Sequence, residues 1–326
     1  MKPTTGRGRV RAVLRLAATA VGLLVGLAML LLRHGATSLD SQPRLNHVAV
    51  QADTASWEEI LAQPRPIRVE TLVTGTVTGD RFVVLDPDDP NISKAGPRDA
   101  PSVVLAHLVR HEQYGDFLVD AGLSQSFTLN RAGNYTALLR TALWLIGAEV
   151  DQPQGTGLGE LLQARGAEPT TVFLTHLHAD HTSGLEDLAP AVTAVFGRGE
   201  DTFSNRALMG AHLDGRPLQT LDFSSSTARR PFSGAIDLLG DGSLWALSTP
   251  GHSPDHVSYL VNGSEPVLLT GDAVAYVAQF EHHIRPSPHV HDPVAAHTSA
   301  LALSELAQRV PALRIVVGHE LAAAAP

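Results

Sequence analysis

The hydrophobic pattern divides the 326-residue chain into three parts. Leu16–Leu32 (LAATAVGLLVGLAMLLL) is an unbroken run of apolar, small and hydroxyl residues between Arg15 and Arg33. Its 17 residues exceed a usual signal-peptide core and reach the short limit for a spanning helix. Residues 34–65 are polar and broken by Gly35, Pro43 and Pro64, which reads as a tether. Within it Asp53 or Thr54 is placed to cap a short helix that turns Trp57, Ile60 and Leu61 to one side. Beyond the tether, alternation and short apolar runs predict strands at Arg68–Thr78, Arg81–Leu85, Val103–Arg110, Phe117–Val119 and Thr171–Leu174. Further strands are predicted at Val192–Phe196, Leu244–Leu247, Val257–Val261, Val267–Leu269 and Ile315–Val317.

 Helical spacing is predicted at Thr136–Ile146, Leu158–Gln163 and Ala295–Gln308, and Gly79-Asp80 reads as a hairpin turn between the first two strands. Strands, then helices, then strands again, with polar residues at the strand ends, suggest two sheets covered by helices. The organisation expected is an anchor or signal segment over 1–35, a tether over 36–64 and a globular domain over 65–326.

Charge changes the reading of the first part. Residues 1–34 hold Lys2, Arg7, Arg9, Arg11, Arg15 and Arg33 and no acid, so the rest carries −15 against −9 for the whole chain. Basic residues ahead of the apolar run favour a cytoplasmic N-terminus, and no cleavage site with small residues at both specificity positions stands out. An uncleaved anchor is therefore the expectation, with a cleaved signal peptide or a buried helix as alternatives. In the first two cases the domain is membrane-anchored or exported and works outside the cytoplasm. The acidic body disfavours a nucleic-acid partner. The chain has no cysteine, which excludes disulfides, thiolate metal sites and cysteine nucleophiles together.

The candidate chemistry is concentrated at strand ends. His176-Leu177-His178-Ala179-Asp180-His181 follows a predicted strand, so His176 and His178 can grip one ion while Asp180 and His181 face a second. Downstream, Thr249-Pro250-Gly251-His252, Thr270-Gly271-Asp272 and Val317-Gly318-His319 each bring a metal-binding side chain to the end of an apolar strand. Asp272 is notable because a carboxylate can bridge two cations. His256 reads as a loop-ordering residue, and Glu200 and Glu320 as structural. His282, His283, His289 and His291 fall in a Pro-containing loop, either locally hydrogen-bonded or contacting substrate.

These residues resemble the seven-ligand pattern of the metallo-β-lactamase-fold hydrolases over roughly residues 65–326. The resemblance implies an α/β architecture, an αββα sandwich with two divalent metal ions at one edge of its sheets. It assigns His176, His178 and His252 to the first ion, Asp180, His181 and His319 to the second, and Asp272 to both. It makes Asp120, in Asp120-Ala121-Gly122, a supporting residue near the site. The implied mechanism is attack by a metal-bridging hydroxide on a carbonyl, with Asp180 or Asp272 passing on the proton. Zinc suits the donor set, which is also open to iron or manganese.

Within that family the layout is similar to the N-acyl-homoserine-lactone lactonases. β-Lactamases of the fold generally lack the bridging acid, and thiolester hydrolases of the glyoxalase II type add a helical C-terminal region. The lactonases carry a substrate-binding tyrosine three residues after the bridging Asp; here that position is Ala275, and Tyr276 follows it. The substrate this resemblance implies is a small molecule, a lactone or ester. The alternatives are a thiolester, a β-lactam, or a non-catalytic membrane-tethered metal-binding module.

Overall fold

The computed structural model describes residues 55–321. The apolar segment Leu16–Leu32, the proposed caps Asp53 and Thr54 and most of the tether lie outside the described residues. Among those described, no helix is long and apolar enough to cross a membrane.

Two sheets stack face to face. The first contains β1 (Ile67–Thr78), β2 (Ser102–His111), β3 (Gly115–Ala121), β4 (Glu149–Asp151), β5 (Thr171–Phe173), β6 (Thr193–Gly197) and β7 (Leu218–Leu221), in the order β4-β1-β2-β3-β5-β6-β7. The second contains β8 (Thr227–Arg229), β9 (Phe232–Asp237), β10 (Leu244–Ser248), β11 (Val257–Val261), β12 (Val267–Leu269) and β13 (Arg314–Val316), in the order β13-β12-β11-β10-β9-β8.

Strand alternation explains the layering. Phe117 and Val119 of β3, Val195 of β6, Leu244 and Ala246 of β10, and Val257, Tyr259 and Val261 of β11 all enter one core between the sheets. The residues in between point the other way. Leu118, Ala194 and Phe196 pack outward with Leu158 and Leu162 of the helix Leu158–Gln163. Trp245, Leu247, Leu260 and Leu268 pack outward with Trp57, Leu303 and Leu306, from the helices Trp57–Leu61 and Pro293–Arg309. Strands covered on both faces read as nearly continuous apolar runs, yet the period of two still sorts their side chains between layers. The αββα sandwich is thus present.

Two local expectations are corrected. Arg81–Val83 is a short 3-10 turn, because the Asp80 side chain accepts from the Phe82 N–H and caps it. The partner of β1 is β2, reached across the loop that follows Gly79-Asp80, so those residues do not form a hairpin. Ser56 caps the first described helix in a reciprocal box with Glu59.

Candidate metal centre

The candidate donors come from the carboxyl ends of strands in both sheets. Strands β3 and β5 are parallel, and so are β12 and β13. Strand β10 shares the direction of β12, since each is antiparallel to the β11 between them. Their ends therefore open on one edge of the sandwich. Tyr259 links the two sheets just below it, donating its hydroxyl hydrogen to the Leu174 carbonyl at 2.9 Å.

His176 and His178 follow β5, with His178 at the N-terminal boundary of the short helix Ala179–Thr182 that carries Asp180 and His181. His252 follows β10, Asp272 follows β12 and His319 follows β13. Two groups of donor atoms converge: His176, His178, His252 and Asp272, then Asp180, His181 and His319, each group lying within 4.8 Å. All seven residues singled out from sequence meet here.

The separations suit metal binding. Bonds of about 2.0–2.1 Å at tetrahedral angles place neighbouring donors roughly 3.3 Å apart. His178 Nδ1 lies 2.8 Å from His176 Nε2 and 3.1 Å from His252 Nε2. Asp272 Oδ2 lies 3.3 Å from His252 Nε2 and 3.9 Å from His176 Nε2. The other carboxylate oxygen faces the second group: Asp272 Oδ1 is 3.1 Å from His319 Nε2 and 3.4 Å from His181 Nε2. Asp180 Oδ2 closes that group, 3.6 Å from His319 and 3.8 Å from His181. His181 Nε2 and Asp272 Oδ1 are buried without hydrogen-bond partners. Buried polar atoms left this way are costly, and a shared cation would satisfy both. The residues fit a two-ion site.

Neighbouring groups orient the donors. His181 Nδ1 is 2.8 Å from Asp120 Oδ2, which leaves Nε2 for the centre. His319 Nδ1 donates to the Val103 carbonyl at 2.9 Å, again turning Nε2 inward. Asp120 itself adopts a left-handed backbone (φ 56°) and accepts from the Thr175 N–H at 2.7 Å. His256 belongs to neither group of donors. Its Nε2 accepts from the Asp272 N–H at 3.1 Å and its Nδ1 donates to Thr249 Oγ1 at 2.9 Å, so it orders the strand end that presents Asp272. Gly318 has a steric reason, because a Cβ there would stand 2.6 Å from Asp272 Oδ1.

The two groups differ electrostatically. Burial, reinforced by neighbouring imidazoles, holds His176 well below the usual histidine range. Burial also lowers His252 and His178, with nearby carboxylates opposing it. Burial pushes His319 down too, but Asp272 and Asp180 outweigh it and raise the group to about 9. Asp120, Asp180 and Asp272 likewise overcome burial at His181 and hold it well above its ordinary value.

A cleft of about 610 Å³ opens over the donors. Val77, Val84, Leu139, Leu143, Leu208 and Met209 contribute apolar wall. Tyr276 is buried in it, with its hydroxyl 2.8 Å from Ser102 Oγ and its ring beside His319, centroids 6.4 Å apart. The guanidinium of Arg81 lies 3.8 Å over the Tyr276 ring and pairs with Glu320 at 3.3 Å. Sequence reasoning missed Arg81, Ser102 and Thr175; only Thr175, directly before His176, had a local signal. His289 and His291 line the cleft, whereas His282 and His283 do not. Glu200 is buried and accepts from Ser253 Oγ at 2.6 Å, ordering the loop that carries His252.

Fold and site together define a metal-dependent hydrolase on an αββα scaffold. The family model described as the metallo-beta-lactamase superfamily matches residues 99–319, and the chain belongs to that family. It is 28% identical over 229 residues to the N-acyl homoserine lactonase AttM of Rhizobium johnstonii, covering 67% of this chain and 81% of that protein. It is 32% identical over 117 residues to a hydroxyacylglutathione hydrolase of Methylobacillus flagellatus, covering 35% of this chain and 38% of that one. The solved structure of a B. thuringiensis AiiA mutant with N-decanoyl-L-homoserine at its active site superposes with a TM-score of 0.61 at 20% identity. That match covers 79% of this chain and 95% of the other, and establishes the fold.

Proposed function

We infer that this chain is a dinuclear metallohydrolase that opens a lactone ring or cleaves an ester. The observation carrying this reading is Asp272, whose carboxylate stands between the two sets of donors, with Oδ2 3.3 Å from both His252 and His319 and Oδ1 3.1 Å from His319 and 3.4 Å from His181. His176, His178 and His252 would hold one ion, and Asp180, His181 and His319 the other, with Asp272 shared. Zinc fits the donor set best, and iron or manganese also suits it. Once bound, the ions would supply hydroxide near neutral pH and a positive field for a carbonyl oxygen.

The chain's own side chains account for the remaining steps. The apolar cleft wall excludes water and holds the substrate's hydrocarbon part. Asp180, at the cleft surface, and Asp272 can accept the nucleophile's proton and return it to the leaving oxygen. Tyr276 can turn its hydroxyl from Ser102 to the substrate carbonyl, where negative charge develops. A lactone is favoured by the AttM likeness, which spans about twice as much of this chain as the hydroxyacylglutathione hydrolase likeness. The second likeness supports a thiolester as the other reading. The arginine-flanked run Leu16–Leu32 supports a domain tethered to a membrane or exported, outside the cytoplasm.

The test is to purify the full chain, measure bound metal, and assay N-acyl homoserine lactones, simple esters, thiolesters and β-lactams side by side. Two ions per chain with fastest turnover on lactones or esters is expected. Faster thiolester turnover would replace the substrate assignment, and two ions with no turnover on any class would favour a binding module.

A further inference from the structure

The helix Ala137–Leu145 has no fully buried residue, although most of its side chains are apolar. At about 100° per residue, Leu139, Leu143 and Ile146 fall on one side, and these line the cleft. Leu138 and Leu145 project from the adjoining sector and are largely exposed, as is Trp144 at 76%. Apolar surface therefore runs without a break from the cleft wall to the outside of the molecule. Contiguous exposed apolar surface of this kind marks a contact with something other than water.

Charge narrows the partner. Between Asp120 and Glu149 there is no acidic residue, while Arg131 and Arg140 are both exposed. This contrasts with the −15 carried by residues beyond 34. Leucines, a tryptophan and arginines without acids are the side chains that settle at the boundary between lipid headgroups and acyl chains. The chain also carries an apolar 17-residue run with basic flanks, and 22 residues separate Leu32 from Ala55. Fully extended, such a linker reaches about 75 Å, enough to let any face of a domain this size meet the surface.

We propose that the outward face formed by Leu138, Trp144 and Leu145 rests on a lipid bilayer surface. Leu139, Leu143 and Ile146 then continue that surface into the cleft, so an amphiphilic substrate dissolved in lipid enters without crossing water. The route of entry rests on the lactone or ester reading above; the lipid contact does not.

Trp144 reports on the contact directly, because the chain's other two tryptophans, Trp57 and Trp245, are buried. The full chain is incorporated into phosphatidylcholine vesicles with brominated acyl chains. Quenching of a component absent from Trp144→Phe is expected, together with loss of its acrylamide accessibility. Leu138→Ser with Leu145→Ser keeps Trp144 but should abolish the quenching, leaving turnover of a short, water-soluble substrate unchanged. Trp144 that stays open to acrylamide and unquenched in vesicles overturns the proposal, whatever the substrate. So does acrylamide protection that appears without lipid as protein concentration rises, which would assign the face to a second copy of this chain.

Discussion

The two halves of the metal centre are built on opposite principles. His176, His178 and His252 are imidazoles crowded together and discharged mainly by burial. Asp180, His181 and His319 combine imidazoles with carboxylates whose charge overcomes burial. The first half offers neutral nitrogens ready for a cation, and the second must give up protons as a cation arrives. The second half is also more heavily braced, through Asp120 on His181 and the Val103 carbonyl on His319. Bracing fixes ligand direction where like charges would otherwise push the rings apart.

Asp272 is where the two halves join, and its removal should have the largest effect. Asp272→Ala is expected to lower occupancy of both positions and reduce kcat/KM on the order of 10³-fold or more. His252→Ala and His319→Ala should each empty chiefly one position. Metal analysis alongside turnover checks this; an Asp272→Ala protein that loses a single ion would remove the shared role.

A smaller effect isolates the bracing. Asp120→Asn keeps an oxygen for the Thr175 N–H but removes the charge facing His181. Metal affinity should fall about 10–100-fold at the second position with the first nearly unchanged. Competitive titration with a chelator resolves the two affinities, and an equal loss at both would contradict the division.

How much of this was legible in sequence follows from what is local. Each donor, or the short helix that carries it, follows an apolar strand, so strand, turn and ligand appear within a short stretch, and the seven were found together. The double-sided burial of β10, β11 and β12 also left continuous apolar runs that mark core strands. Bracing contacts were harder to read because they join distant segments: Tyr276 meets Ser102 across 174 positions, and Asp120, which only the resemblance placed near the site, meets His181 across 61. The Gly79-Asp80 turn misled for a related reason, since Asp80 spends its side chain on capping Phe82 and pairing with Arg98. The short edge strand β8 and the strand β9 escaped the pattern because their pairing is set by neighbours in the sheet.

Tyr276 tests the cleft beside the second half. Tyr276→Phe leaves the ring against Arg81 and His319 and removes only the hydroxyl bonded to Ser102. If that hydroxyl stabilises charge developing on the substrate, kcat should fall roughly tenfold with KM little changed. A change confined to KM would make it a ground-state binding contact instead.

The smallest expected effect concerns stability and lies behind the first half. Glu200 is raised to about 7, chiefly by burial, with hydrogen bonds from Ser253 and the Asp255 N–H acting the other way. An acid raised by folding stabilises the native state below its ordinary range, and that contribution is lost as pH rises through the folded value. Between pH 5 and 8 the native protein should therefore lose on the order of 2 kcal/mol from this group. Glu200→Gln cannot ionise and should escape the loss. Whatever its offset at pH 5, the variant's Tm should gain on the parent by roughly 5 °C by pH 8. Thermal unfolding of both proteins across that range measures the gap; a constant difference would mean Glu200 does not titrate there, and that the loop holding His252 is tied by hydrogen bonds independent of its charge.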